Sequence, residues 1–245
     1  MRRAEIIGNI ILSDLEKINT HSTLANLTIL KSLDEISGSS NENTNYVVAT
    51  TEYAKAIASK KENIYLPYSL LMEKHRNDQV FVYFELEAFP FFHSFSQIIK
   101  NEPQPKGVFR FRRTSSKESL QSLMAGELYM FSSLFGELKD IHINKTDSSK
   151  VPRHMIIMLH FENGTMAHIE YTVGNQEKIE LEWSGIKSIV EFDSDQMKPI
   201  TPNDKTKSPL TYSVDAILSS ARVLDEKVFL QLDDFQKLLD GGAQK

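Results

Sequence analysis

Two histidines lie close enough in the sequence to be tested as ligands of one metal ion. His160 and His168 flank Asn163-Gly164, a dipeptide that typically forms the two-residue turn of a β-hairpin. With that turn, His160 pairs with Ala167, and His168 pairs with Leu159. Because successive strand residues point to opposite faces of a sheet, the two imidazoles would lie on opposite faces. The spacing therefore argues against a shared metal site, and we expect none.

Carboxylates and guanidinium groups form two further clusters. Glu85 and Glu87 are two residues apart on a strand-like stretch, so their side chains share a face. General acid/base work would require unequal environments for them, and we interpret them as surface charges or part of a pocket rim. In the strand that follows, Arg110 and Arg112 lie on one face and Arg113 on the other. We favour a solvated sheet face whose arginines pair with glutamates; an anionic ligand or an acidic partner is the alternative.

The composition excludes several classes of function. The chain has 245 residues, 40% of them hydrophobic, and no cysteine, which excludes disulfides, thiolate nucleophiles and cysteine-based zinc sites. A net charge of -5 argues against nucleic acid or an anionic membrane as partner, because both require an excess of Lys and Arg. No apolar run approaches the roughly 20 residues that span a bilayer. The apolar stretch 6–12 is followed by no small-residue cleavage site, so we expect no signal peptide and a cytoplasmic location.

The first hundred residues alternate between strand-like and helix-like segments. Strands are predicted at the apolar or β-branched runs 6–12, 46–50, 64–66 and 80–84. Short helical patterns lie between them, and such alternation with short connections is typical of a parallel α/β sheet. The proline-containing segment 100–106 predicts a connection, so we place the first domain at residues 1–100.

The second half has the pattern of an antiparallel sheet covered by one long helix. Apolar residues at helical spacing over 117–134 predict a helix that ends at Gly136. Strands are predicted at 108–113, 155–161, 166–173, 178–183 and 188–192. Apolar and polar residues alternate in these strands, so one face of the sheet is expected to be buried and the other polar. With two helical segments in the tail at 214–239, these elements predict an α+β domain over residues 101–245.

Several segments, taken in order, resemble the Gfo/Idh/MocA family of oxidoreductases. The stretch 122–137, SLMAGELYMFSSLFGE, is similar without a gap to the family's helix pattern D-L-G-x-H-D-x-D-L-x-x-W-L-x-G-E. The stretch 46–70 is similar to the strand, turn, helix and second strand that lead to the family's Glu-Lys-Pro. The resemblance implies an incomplete Rossmann-like parallel sheet domain followed by an open, mostly antiparallel sheet domain with a long helix on one face.

This sequence departs from the family at the dinucleotide site. Enzymes of the family bind NAD(P) on a glycine-rich turn after the first strand, where the backbone approaches the pyrophosphate. The chain contains no G-x-G-x-x-G, and its early glycines are Gly8 and Gly38. If residues 10–14 correspond to the family's second strand, the first strand and its turn are missing, and Asp14 has no phosphate site beside it. We therefore expect no cofactor, with NAD or NADP only if the chain is an active oxidoreductase.

The family's catalytic positions are also altered where the resemblance places them. The lysine of Glu-Lys-Pro falls at Tyr68, the helix Asp and His fall at Ser122 and Gly126, and a further Asp falls at Tyr129. Glycine cannot move a proton, and hydride transfer from a carbinol requires a base. A tyrosine, whose ordinary pKa is about 10, needs a cationic neighbour to act as one. The residues expected to line the remaining pocket between the domains are Tyr68, Glu87, Gly126 and Tyr129.

Two functions stay open. The combined loss of glycine turn, lysine and histidine favours a truncated, degenerate, non-catalytic relative that acts as a binding, regulatory or scaffolding subunit. The alternative is an NAD(P)-dependent oxidoreductase that acts on a sugar or cyclitol with an atypical site. Family members commonly associate through the open sheet, so the resemblance implies a homo-oligomer, or a hetero-oligomer with a paralogue. The alternating strands that carry Trp183 offer such a face.

Overall fold

The computed structural model describes residues 7–12, 18–19, 21–29, 45–47, 63–71, 80–116, 120–146, 153–195 and 210–241. The chain forms two compact units. The first comprises residues 1–93 and 211–233, and the second comprises 94–210 and 234–245. The predicted domains, 1–100 and 101–245, stay a prediction. The compact units differ from them most in the tail, because 211–233 belongs with the N-terminal strands.

The strands and helices follow one another in this order. The N-terminal strands are β1 (Ile7–Leu12), β2 (Ile18–Asn19), β3 (Ala25–Ile29), β4 (Asn45–Val47), β5 (Asn63–Pro67) and β6 (Val80–Tyr83). Next come α1 (Pro90–Lys100), β7 (Gly107–Ser115), α2 (Gln121–Phe135), β8 (Leu138–Lys145), β9 (His154–Phe161), β10 (Met166–Val173), β11 (Lys178–Gly185) and β12 (Ile189–Asp193). The tail contains β13 (Tyr212–Ser213), α3 (Val214–Ser220) and α4 (Glu226–Asp240). No helix in these ranges is both long enough and apolar enough to cross a membrane.

The first unit is built on a five-stranded parallel sheet in the order β3-β1-β4-β5-β6. The chain begins near the middle at β1, continues to β3 at one edge, and then crosses to β4 on the other side. This is the 2-1-3-4-5 order of a doubly wound sheet. The predicted parallel sheet is confirmed, and the described strands are one fewer than the six of the complete Rossmann order.

The tail segment 211–233 is tied to this first unit by backbone pairing. Strand β13 pairs with β2 in parallel register. Backbone hydrogen bonds of 2.8 and 3.0 Å join Val82 to Arg222, so the tail covers the edge of β6. The Asp215 carboxylate accepts from the backbone N–H of Thr23 at 3.0 Å and from its hydroxyl at 2.7 Å. These contacts hold the tail segment 211–233 in the first compact unit.

The second unit is built on a six-stranded sheet in the order β12-β11-β7-β10-β9-β8. All neighbouring strands are antiparallel except β7 and β10, which confirms the mostly antiparallel sheet. Helix α2 packs on one face, where Phe131 and Phe135 lie 5.0 and 5.1 Å from Phe109 between ring centres. The helix ends before Gly136, as predicted, because its φ of +101° suits glycine.

Trp183 lies on the covered face of this sheet. It is fully buried, and its ring stacks on Phe135 with 5.3 Å between ring centres. Trp183 itself is therefore not part of an exposed face, and association through this sheet stays a prediction. The alternation of β11 places its apolar residues under α2 and its glutamates on the opposite surface, which we call the open face.

Candidate functional site

The parallel sheet of the first unit has a topological switch point. Strand β3 lies on one side of β1 and β4 on the other, so the connections that leave β1 and β3 run in opposite directions. In open α/β sheets, ligands bind in the crevice outside the carboxyl ends of the strands at such a point. The segment after β1 reads Ser13-Asp14-Leu15-Glu16-Lys17 and contains no glycine. Asp14, the candidate ribose ligand, lies outside the described residues.

Tyr68 lies at the carboxyl end of β5. It opens a short 3-10 turn, Tyr68–Leu70, directly after Pro67, whose extended conformation ends the strand. The tyrosine is buried, and its ring packs in a tilted arrangement against Phe84, with 5.5 Å between ring centres. At the position of the family's lysine the chain therefore presents a packed aromatic ring.

Glu87 lies in the same unit and is held by an arginine of the tail. Nη1 of Arg222 lies 3.0 and 3.3 Å from the two carboxylate oxygens of Glu87. The guanidinium of Arg222 also lies over Phe84, with Cζ 4.9 Å from the ring centre, which is cation–π geometry. Tyr68, Phe84, Arg222 and Glu87 thus form one continuous cluster, which we call the Tyr68 cluster. Sequence reasoning missed Arg222 because it lies 135 residues from Glu87.

The paired-glutamate interpretation requires a correction. Glu85 and Glu87 lie in a 3-10 turn, Glu85–Ala88, rather than in a strand. Residues two apart do not share a side of a helical turn, which repeats every three residues. Glu85 is accordingly buried while Glu87 is half-buried and bound by Arg222. The two carboxylates therefore do not form a side-by-side pair.

Helix α2 carries the positions at which the resemblance places the family's acidic and histidine residues. Ser122, Gly126 and Tyr129 are spaced by four and three residues, so they share one side of the helix. Gly126 is buried, and Ser122 and Tyr129 are half-buried. This side of α2 offers hydroxyl groups and bare backbone where the family has carboxylates and an imidazole. A pocket that joins Tyr68 and Glu87 with Gly126 and Tyr129 stays a prediction.

The opposite side of α2 carries a buried polar network. The Glu127 carboxylate accepts a hydrogen bond from the Tyr171 hydroxyl at 2.8 Å and forms an ion pair with Arg113. Arg113 also lies 3.5 Å from Glu177, which accepts from Ser115 at 2.5 Å. Burial and the neighbouring Glu127 raise the pKa of Tyr171 well above its ordinary value, so the hydroxyl stays a donor. The network joins the helix to strands β7 and β10.

The exposed arginines of β7 behave as predicted. Arg110 pairs with Glu182 at 2.7 Å, and Arg112 pairs with Glu180 at 3.2 Å on the open face. Arg113 points to the covered face. The predicted solvated face of arginine–glutamate pairs is therefore confirmed. The sequence alone gave Arg113 no role. Its partner Glu127 lies on α2, and the position of that helix against β7 cannot be read from the sequence.

The histidine geometry differs from the prediction by one residue of register. His160 pairs with Met166 and His168 with Met158, because the hairpin turn has three residues, 162–164, instead of two. Gly164 adopts a φ of +85°, as the last position of such a three-residue loop requires. His160 and His168 consequently share the open face, and their predicted placement on opposite faces is wrong. The described residues bring no three His, Asp or Glu side chains together as a metal site.

Comparison with solved structures identifies the fold. GenD2 from gentamicin A biosynthesis, in complex with NAD, aligns over 98% of this chain and 88% of its own, with 12% identity and a TM-score of 0.53. A myo-inositol dehydrogenase from Corynebacterium glutamicum aligns over 97% and 90%, with 11% identity and a TM-score of 0.55. The apo scyllo-inositol dehydrogenase from Lactobacillus casei aligns over 96% and 89%, with 10% identity and a TM-score of 0.54. Neither a family model nor a curated relative matches the sequence.

At these identities the likeness establishes the fold. The chain has the two-part fold of these dehydrogenases, which confirms the fold that the resemblance to the Gfo/Idh/MocA family implied. The expectation of no cofactor is corrected by the same comparison, because the GenD2 structure of this fold holds NAD. The described sheet has a switch point between β3-β1 and β4, and open α/β sheets bind their ligands at such a point.

Proposed function

We propose that this chain is a non-catalytic protein on a sugar- or cyclitol-dehydrogenase fold, and that it acts by binding. One observation carries the proposal: Tyr68, at the position of the family's lysine, is buried and packed against Phe84. The equivalent positions on α2 support it, since Ser122 and Gly126 provide neither a carboxylate nor an imidazole. A hydride leaving a carbinol requires a base for the hydroxyl proton, and these side chains are poorly suited to that work.

A nicotinamide dinucleotide is the first ligand to test. The switch point of the parallel sheet fits such a ligand, whereas the segment after β1 lacks the glycines that would let the backbone approach a pyrophosphate. The described residues therefore fit the place of such a cofactor in the sheet but lack the turn that would hold its pyrophosphate. On loading, it would supply hydride chemistry, and this chain's residues would supply the crevice.

The test separates binding from turnover. Calorimetry of the full-length chain with NADH and NADPH measures binding, and absorbance at the nicotinamide band measures turnover over a panel of sugars and cyclitols. We expect no turnover above that of a heat-denatured control, whether or not a dinucleotide binds. Sustained turnover that depends on the protein would overturn the proposal.

The second candidate is an oxidoreductase with an atypical site, and the Tyr68 cluster favours it. Arg222 brings a cation to the same Phe84 ring against which Tyr68 packs, 4.9 Å from its centre. Under this candidate the Tyr68 hydroxyl is the group that would exchange the substrate's proton. Under this candidate, Tyr68→Phe abolishes turnover while leaving dinucleotide affinity unchanged. The matched control is Tyr65→Phe, a buried tyrosine of β5 outside the cluster.

We also propose that the open face binds a second copy of this chain. The face carries charges of both signs in pairs, so it is complementary to itself. Exposed apolar side chains, Met158 at 45% and Met166 at 47%, lie on the neighbouring strands β9 and β10. Buried in an interface, they would contribute apolar area at its centre.

Sedimentation velocity over a concentration series tests this association. We expect a dimer or larger assembly that Met158→Glu weakens at least tenfold. Leu230→Glu, which changes an exposed residue of α4, serves as the control and should leave assembly unchanged. A monomer at every concentration contradicts self-association and makes a paralogue the partner to seek.

The cytoplasmic location stays a prediction.

A further inference from the structure

The second unit contains a cavity of about 330 Å³ between the start of α2 and the ends of β8 and β10. Ligand pockets begin at about this size. Its described lining does not include Ser122, Gly126 or Tyr129. The cavity is therefore separate from the positions at which the resemblance places the family's catalytic residues.

The apolar part of the cavity lining, which we call the floor, includes an aromatic ring. Met124 of α2, Met155 of β9 and Val173 of β10 contribute flexible or branched apolar surface. Tyr171 contributes its ring, while its hydroxyl is fixed on Glu127 at 2.8 Å beneath. Because the hydroxyl is occupied and the residue is buried, the tyrosine presents hydrocarbon to the cavity. This floor suits the apolar body of a ligand.

The cavity also has a cationic side. Lys145 and Arg153 both line it, and no carboxylate belongs to its described lining. The Lys145 ammonium makes one long contact of 3.4 Å, to the Leu239 carbonyl, and has three donors in all. Asp240, a nearby acid, accepts from the Gln121 side-chain amide. Neither cation has a carboxylate within ion-pair distance among the described residues.

We propose that this cavity binds a small organic acid, with its carboxylate on Lys145 and Arg153 and its apolar body over Met124, Met155 and Tyr171. A fatty acid of medium chain length, with about ten heavy atoms, fits the volume. The apolar floor supplies affinity through area removed from water, and the two cations supply the preference for an anion. The proposal does not depend on dinucleotide binding or on catalytic activity.

The first test compares octanoate with octanol by calorimetry on the full-length protein. The two ligands share the apolar chain and differ in the charged head. We expect octanoate to bind at least tenfold more tightly. The double variant Lys145→Met with Arg153→Met should remove that preference, while Lys139→Met, a change on the same strand outside the cavity, should keep it. Equal affinities for acid and alcohol, or an unchanged preference in the double variant, would overturn the proposal.

Methionine methyl NMR locates the ligand and remains informative if a variant folds poorly. Met124 and Met155 line the cavity, whereas Met158 and Met166 lie exposed on the open face and act as internal references. Octanoate should shift the methyl signals of the first pair in the unaltered protein and leave those of the second pair in place. Shifts confined to Met158 and Met166 would assign the acid to the open face and reject the cavity.

Discussion

Two neighbouring residues of β7 make the same kind of ion pair in opposite surroundings. The side chain of Arg112 is 58% exposed and pairs with Glu180 and Glu170 on the open face. The side chain of Arg113 is 2% exposed and pairs with Glu127 beneath α2. Water screens the charges of Arg112 and its partners, so the loss of either partner should change the free energy of unfolding only slightly. In the Arg113–Glu127 pair, each charge replaces the water that the other loses on burial. The loss of one partner therefore leaves a buried charge uncompensated.

Removal of one buried partner should have the largest effect on stability. We expect Arg113→Ala to lower the free energy of unfolding by about 3–5 kcal/mol, because Glu127 would then be buried without its cation. Arg112→Ala is the matched control and should cost about 0–1 kcal/mol. Urea denaturation followed by circular dichroism measures both. Similar losses for the two variants would show that burial does not separate the pairs.

Tyr171→Phe removes one donor from the same buried carboxylate. The expected loss is about 1.5–3 kcal/mol, because a hydrogen bond to a charged group is lost while the ring keeps its packing. Tyr65→Phe provides a comparison on a buried tyrosine of the other unit. The measurement is again urea denaturation. A loss no larger than that of Tyr65→Phe would mean that Glu127 gains little from the hydroxyl.

Replacement of Arg113, Glu127 and Tyr171 together should sharpen the comparison further. The triple variant Arg113→Met, Glu127→Leu and Tyr171→Phe removes both charges and the hydroxyl together, so no polar group of the three is left unsatisfied. Buried ion pairs replaced by apolar residues of similar volume are often neutral or stabilising. We expect a free energy of unfolding within about 1 kcal/mol of the original, or above it. A loss as large as that of Arg113→Ala alone would contradict this account.

The smallest expected effect concerns pH on the open face. The hydrogen bond from Lys178, followed by that from Arg112, holds the pKa of Glu180 below its ordinary value of 4.5. A carboxylate with a lowered pKa stabilises the folded state above its ordinary pKa, and that contribution is lost as the pH falls through the folded value. Glu180→Gln should therefore lower the melting temperature slightly at neutral pH and not in acid. Glu191→Gln serves as the control, and an equal effect at both pH values would count against the pairing.

Local pattern predicted the elements well and their partners less well. The long helix, the hairpin strands and the parallel sheet follow from the periodicity of apolar residues, and the structure confirms them. The register between β9 and β10 was missed by one residue, because Asn163-Gly164 suits both a two-residue and a three-residue loop. That single residue moved His160 and His168 onto the same face.

The candidate site was predictable only in part. Tyr68, Ser122 and Gly126 could be named from the resemblance, because their segments keep the family's order and spacing. Arg222 could not be named, since it reaches Glu87 and Phe84 only through the return of the tail to β6. The cofactor expectation failed for a related reason. It was drawn from one absent turn, whereas ligands of open α/β sheets bind at the switch point that the strand order creates.

The sequence by itself determined the elements, the polar open face and the absence of a lysine and a histidine at the positions aligned with the family. These follow from side-chain types at short spacing, which fix periodicity and chemistry without reference to the rest of the chain. Only the tertiary structure decided that Arg113 meets Glu127, that Arg222 joins Tyr68's neighbour Phe84, and that Trp183 is buried. Each of these depends on which segments distant in sequence pack together, and packing is decided by the burial of whole faces.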